Sequence, residues 1–261
     1  MDEQVPVIME NVFECTLEMI NKDFSEYPEH RVQFFNLLRA INLHCFNALL
    51  RLDARQFKFV IDSCLWASKH DNREVEAAGL QMCIELMDNM SNTEATTCST
   101  FFQNFYTNIL QDVFFVLTDS DHKAGFKYQS MLLARMIYLI DSGKLQAPVY
   151  NTSETPAGTS NRAFLEGYIQ NLLTTAFSNL QPAQIQNFVK NMFEFNSDLQ
   201  RFKLTLRDFL ISLREFSSGD NTELYAEEKE QEAEKARVDE RERLGKVGGL
   251  IKPSDMDDDE L

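Results

Sequence analysis

Apolar residues recur along this chain at helical spacing, and no run of strand length alternates with period two. In 53–70, Phe57, Val60, Ile61, Cys64 and Leu65 fall at i, i+3, i+4, i+7 and i+8, with Asp53 placed as an N-cap. Residues 182–196 repeat the pattern through Ile185, Phe188, Val189, Met192 and Phe193, with Pro182 suited to the first turn. Asp198 then caps a helix over 198–216 whose stripe is Leu199, Phe202, Leu206, Phe209, Leu210 and Leu213. The same reading predicts helices over roughly 3–21, 28–51, 72–90, 95–118, 125–142 and 160–180, Pro28 opening 28–51 and Gly143 ending 125–142.

These elements define an all-α chain. Short connections make antiparallel pairs of them, covering about 3–51, 53–90, 95–142 and 160–196, with 198–216 as a ninth helix. A pair length of about 40–50 residues matches HEAT-type repeats, so the expected architecture over 1–219 is a HEAT-repeat α-solenoid of antiparallel helix pairs. A four-helix bundle would suit any four of the helices, but nine in series favour the solenoid. Residues 28–51 support it further. Phe34, Leu37, Leu38, Ile41 and Cys45 form one stripe while Phe35, Leu43, Phe46 and Leu50 lie off it, as in a helix sandwiched between layers.

Two stretches break the rhythm. Residues 143–160 read as a polar loop containing Pro and Gly. From Thr222 to Leu244, within a C-terminal helix expected over about 220–245, the chain is almost wholly charged, with Glu232–Lys235, Glu234–Arg237, Glu240–Arg243 and Asp239–Arg243 spaced to pair along it. That helix lacks an apolar stripe, so it is expected to project into solvent, bridge open space or dock weakly. Its roughly 22 residues would reach ~33 Å. Residues 246–261, closing on Asp255, Asp257, Asp258, Asp259 and Glu260, read as a disordered acidic tail.

Composition agrees with helices and narrows the partners. Gly (9) and Pro (6) are too scarce for a β-sandwich or barrel of this length, and 21 Phe suggest aromatic wedges between helices. The net charge of −16 argues against direct nucleic-acid binding and for a basic protein partner. Half of that excess lies in the last 42 residues, where fifteen acidic side chains face seven basic ones. No apolar run is long enough to span a membrane. The five cysteines (Cys15, Cys45, Cys64, Cys83, Cys98) include no C-x-x-C pair, which predicts reduced thiols in an intracellular compartment.

Catalytic equipment is not expected. His30, His44, His70 and His122 stand apart from one another, and none has ligand spacing to a Cys. No phosphate-binding glycine loop, zincin motif or nucleophile elbow occurs. The cysteines fall mostly on apolar stripes, as small hydrophobes do. Trp66 suits core packing better than an interface anchor. The doublets Phe101-Phe102, Phe105-Tyr106 and Phe114-Phe115 suit interlayer packing or a groove for an amphipathic peptide.

The stretch from Phe13 to Phe46, centred on DFSEYPEHRVQFFNLL, resembles the C-terminal region of the exportin-1 family of nuclear export receptors. QFKFVIDSCLW at 56–66, FLEGYIQNLL, AFSNLQPAQIQNFV and FKLTLRDFLISLREF extend the resemblance over essentially the whole chain. It implies a HEAT solenoid of the importin-β superfamily that binds Ran-GTP and leucine-rich export-signal cargo, contacts phenylalanine–glycine nucleoporins and shuttles between nucleus and cytoplasm. No enzyme activity, cofactor or metal is implied. It also implies a last helix and acidic tail that lower cargo affinity. These fall on about 222–244, with Glu223, Glu227, Glu228 and Glu230, and on the acidic residues at 255–260. The family's cargo groove and reactive groove cysteine lie upstream, so no cysteine here takes that role, and the resemblance singles out no Ran-contacting residue. The chain is expected to be a fragment, a partial gene model or a truncated paralogue, not competent for export alone. A standalone HEAT scaffold for an unrelated complex is the alternative.

Overall fold

The computed structural model describes residues 4–13, 15, 16, 19, 27–213, 216 and 219–245. Among these residues there are no strands and there are eleven α-helices. Helix α1 (Val5–Ile8) runs into a π-helical turn (Met9–Phe13). Then come α2 (Pro28–His44), α3 (Phe46–Leu49), α4 (Ala54–Ala67), α5 (Arg73–Ser91), α6 (Ala95–Thr118) and α7 (Phe126–Asp141). Helices α8 (Asn161–Ala176), α9 (Pro182–Phe195), α10 (Leu199–Ser212) and α11 (Ala226–Gly245) complete the order, with 3-10 turns at Ser120–Gly125 and Thr222–Tyr225.

Local chemistry sets most boundaries. The Asp53 side chain accepts from the Gln56 amide at 2.7 Å while the Gln56 side chain accepts from the Asp53 amide, a capping box. Asn72, Ser160 and Asp198 cap α5, α8 and α10 through their side-chain oxygens. Pro28 and Pro182 sit in the first turns of α2 and α9, where a missing N–H costs nothing. Gly143, at φ 70°, takes the left-handed conformation that ends α7.

The pairs stack as a solenoid. Helix α4 packs on α5, α6 on α7, and α8 on α9, while α2, α5 and α7 form a continuous inner row that α7 extends to α9 and α10. Ion pairs stitch this row: Arg39 of α2 to Glu85 of α5 at 2.6 Å, and Asp88 of α5 to Arg135 of α7. On the other side, Phe57 of α4 meets Phe101 and Phe105 of α6 at 6.1 and 6.3 Å between ring centroids. Helices α9 and α10 join through Phe188 stacked on Phe209 at 3.9 Å.

Three sequence expectations are corrected. The single helix expected over 28–51 breaks at Cys45 (φ −134°, ψ 34°), and the break turns Ala48 and Leu49 into the core. Through α2 to that break the expected stripe is buried at Phe34, Leu38, Ile41 and Cys45 but not at Leu37, which is 39% exposed, and Phe35, off that stripe, is fully buried and stacks on Trp66 of α4. The loop 143–160 is not merely polar. It buries Leu145, Val149 and Tyr150, and Asn161 holds it by donating to the Leu145 and Ala147 carbonyls and accepting from the Val149 amide.

The close approach of α4 and α5 depends on Gly79, where an added Cβ would lie 2.6 Å from Ala67 Cβ and 2.9 Å from the Ser68 amide. Gly79→Ala is therefore expected to destabilise the fold by about 1–3 kcal/mol, despite alanine's better helix propensity, because backbone blocks the methyl group. Urea unfolding checks this, and an unchanged or raised midpoint contradicts it.

Candidate functional site at the C-terminal helix

The 219–245 segment is neither free nor weakly laid on the surface along its whole length. Its base is clamped, and its remainder projects. The clamp is built from five cations on four elements: Arg73 in the first turn of α5, Lys123 in the 3-10 turn, Lys127 in α7, and Lys203 and Arg207 in α10. Lys203 and Arg207 are one helical turn apart, beside the apolar stripe of α10, and each side chain is only 4% exposed. Two cations buried this deeply need anionic or carbonyl partners, because an unpaired buried charge costs several kcal/mol.

Residues 220–228 supply those partners. Lys123 Nζ donates to the Asp220 carbonyl at 3.0 Å and lies 5.1 Å from the centre of the Phe216 ring. Glu223 pairs with Arg73, and Leu224 is buried. The Leu224 carbonyl accepts from both Arg207 Nε and Nη2, at 3.1 and 2.8 Å. Arg207 Nη2 also donates to Glu228 Oε1 at 2.6 Å, and its guanidinium lies 4.2 Å from the Tyr225 ring centre and 5.5 Å from that of Phe126. Glu227 bridges Lys203 and, at 3.4 Å, Lys127. A planar guanidinium satisfies this fork of carbonyl, carboxylate and ring, which lysine could not do. From Lys229 to Glu240 every side chain is exposed, and Glu234–Arg237 at 3.7 Å is one of the pairs the spacing predicted.

Burial raises the Glu228 carboxyl, but its hydrogen bond from Arg207 and the charges of Arg207 and Lys203 outweigh this and hold it below the usual carboxylate range. Its share of the anchorage is therefore complete at neutral pH and is lost as pH falls through the depressed value. A carboxyl-carbon NMR titration is expected to give Glu228 a lower midpoint in the unmodified chain than in Arg207→Ala. Equal midpoints contradict the pairing.

Beneath the clamp, Glu76 of α5 is buried beside His122. Glu76 Oε1 lies 3.4 Å from His122 Nδ1 and accepts from Gln129 Nε2 at 2.9 Å. Desolvation pushes this carboxyl up, against Gln129 and His122, which draw it down. Gly125 leaves it room, since a Cβ there would stand 2.1 Å from Glu76 Oε1.

Of the acidic residues expected to matter, Glu223, Glu227 and Glu228 come together in the clamp, and Glu230 stands exposed on the projecting arm. Asp255, Asp257, Asp258, Asp259 and Glu260 lie outside the described residues, as do the side chains of Arg243 and its expected partnerships. The basic half of the clamp was missed. Its one local trace is the i, i+4 spacing of Lys203 and Arg207 inside FKLTLRDFL. Elsewhere, Phe101, Phe102, Tyr106 and Phe114 are buried between layers and Phe115 is 58% exposed. An open groove of about 380 Å³ does run between α3, α4 and α6, lined by Leu50, Phe57, Phe101 and Phe105 among others. Among the described residues no His, Cys, Asp or Glu group is arranged to hold a metal, and no helix is long and apolar enough to cross a membrane.

Comparison with known proteins places this architecture. Residues 1–218 match the family described as CRM1 C terminal. The chain is 52% identical over 254 residues to Exportin-1 of Schizosaccharomyces pombe, covering 97% of this chain and 24% of that protein. It is 42% identical over 260 residues to Protein EXPORTIN 1B of Arabidopsis thaliana (99% of this chain, 24% of that one) and 37% identical over 256 residues to Exportin-1 of Drosophila melanogaster (98% and 23%). It thus spans about a quarter of the length of the curated relatives it matches. The chain belongs to the CRM1 C-terminal family, the C-terminal region of exportin-1.

Proposed function

We propose that this chain is the C-terminal portion of a nuclear export receptor, a transport protein without catalytic chemistry. In this reading the last helix and acidic tail lower the receptor's affinity for leucine-rich export-signal cargo, and the last repeats help hold Ran-GTP. The supporting observation is the mechanical design of the C-terminus. A clamp at 220–228 fixes where the helix starts and how it is aimed, and its remainder, 17 residues from Lys229 to Gly245 with the side chains exposed as far as Glu240, reaches ~25 Å from that point. An arm of this kind suits a partner surface beyond the chain's own helices, as inhibition of a groove located elsewhere requires. The open groove at Leu50, Phe57, Phe101 and Phe105 offers a place for phenylalanine–glycine nucleoporins, and the reading carries shuttling between nucleus and cytoplasm with it.

The test uses a full-length receptor that contains these residues in its C-terminal region. Deleting the stretch corresponding to 226–261 is expected to tighten binding of a labelled export-signal peptide several-fold in the absence of Ran. Unchanged affinity removes the autoinhibitory part of the proposal. Pull-down with GTP-loaded against GDP-loaded Ran tests the other part, and equal recovery of the two overturns it.

A further inference from the structure

We propose that the five-cation cleft is a docking surface for an acidic protein segment, which the chain's own residues 220–228 occupy in cis and with which an acidic partner segment exchanges. This does not depend on what the projecting helix regulates.

The cleft demands an acidic occupant. Lys203 and Arg207 are almost wholly buried, with Glu227, Glu228 and the Leu224 carbonyl against them. Arg73 and Lys127 stand at the rim with side chains 71% and 43% exposed, where they add charge without supporting the core. Nothing in the cleft requires that the occupant be this particular segment. Leu224 is the one buried apolar side chain it inserts, and its contacts with the clamp cations are carboxylates, backbone carbonyls and the Tyr225 ring. From Lys229 to Glu240 every side chain of the occupant is exposed. A segment held by charge and one leucine, and tethered chiefly on its N-terminal side, is poised to exchange with another of the same chemistry. The chemistry that fits is an apolar and an aromatic residue preceded by one carboxylate and followed a helical turn later by two more, as in Glu223-Leu224-Tyr225 and Glu227-Glu228.

The tether predicts how the competition runs. A cis segment 17 to 24 residues along the chain from the α10 cations it meets acts at an effective concentration of about millimolar, so a segment added in trans binds poorly until the cis one is weakened. The experiment uses the full chain and a fluorescein-labelled peptide of residues 219–230 as probe, read by anisotropy. Against the chain carrying Glu223→Gln, Glu227→Gln and Glu228→Gln, the peptide is expected to bind at least ~10-fold more tightly than against the unmodified chain. Adding Arg73→Glu and Lys127→Glu to that variant is expected to weaken binding ~10-fold or more, and raised salt to weaken it further. Should the triple variant fail to unfold cooperatively on heating, Leu224→Ala in the full chain weakens the cis segment instead and carries the same expectation. Equal binding to the unmodified and weakened chains overturns the proposal, as does binding that survives the rim reversals. A peptide of the same composition in scrambled order that binds equally well also overturns it, by reducing the cleft to a general attraction of charge.

Discussion

Replacing Arg207 with alanine is expected to release the base of the C-terminal helix while leaving the solenoid folded. Arg207 makes two hydrogen bonds to the Leu224 carbonyl, one to Glu228, and ring contacts to Tyr225 and Phe126. Truncating one member of a buried, hydrogen-bonded charge pair costs about 3–5 kcal/mol where the other member must stay buried. Here the acidic partner is on a terminal segment that can leave for water, so the cost appears as detachment. Amides of 223–229 are expected to exchange roughly a hundredfold faster, matching a loss of about 3 kcal/mol, with little change in α5, α7 and α9. Arg207→Lys is expected to fall between the unmodified chain and Arg207→Ala, because an ammonium keeps the charge but lacks the planar fork that gives the Leu224 carbonyl two hydrogen bonds beside the one to Glu228. Unchanged protection at 223–229 in Arg207→Ala would mean that Leu224, Lys203 and Lys123 suffice as the anchor. Collapse of protection throughout the chain would instead make Arg207 a member of the core.

What could be read in the sequence and what could not divide along physical lines. Capped helices were legible because the cap and the stripe are local: Asp53 with Gln56, Asp198 with Arg201, and Pro182 ahead of Ile185 need no knowledge of the rest of the chain. The acidic half of the anchorage was legible as a run of charge. Its basic half was not, because Arg73 meets Glu223 across 150 residues and a charged side chain in a helix reads as a solvated one until its partner is placed. Leu145, Val149 and Tyr150 were passed over for a related reason. They are isolated apolar residues without periodicity, brought under cover by partners such as Asn161, which holds the loop's backbone, and Phe164, against which Tyr150 packs.

Helix α2 marks the limit of stripe reading, and it gives the other large effect. A helix packed on two sides has no single stripe, so Phe35 and Leu37 cannot be ranked from spacing alone. The structure ranks them oppositely to the sequence pattern: Phe35 is at 0% exposure, edge-on to Phe34 at 5.3 Å and stacked on Trp66 at 6.1 Å, and Leu37 is 39% exposed. Phe35→Ala removes a ring that joins α2 to α4, and the surrounding helices cannot close on the cavity without breaking the row of α2, α5 and α7. A loss of about 3–5 kcal/mol is expected, against about 1 kcal/mol or less for Leu37→Ala, whose side chain already meets water. Urea unfolding of both variants beside the unmodified chain decides it. The midpoint is expected to fall far more for Phe35→Ala at an unchanged slope, since the area exposed on unfolding barely differs. Equal shifts, or a larger one for Leu37→Ala, would put Leu37 in the core of α2 beside the buried Phe34, Leu38 and Ile41, as the sequence pattern draws it.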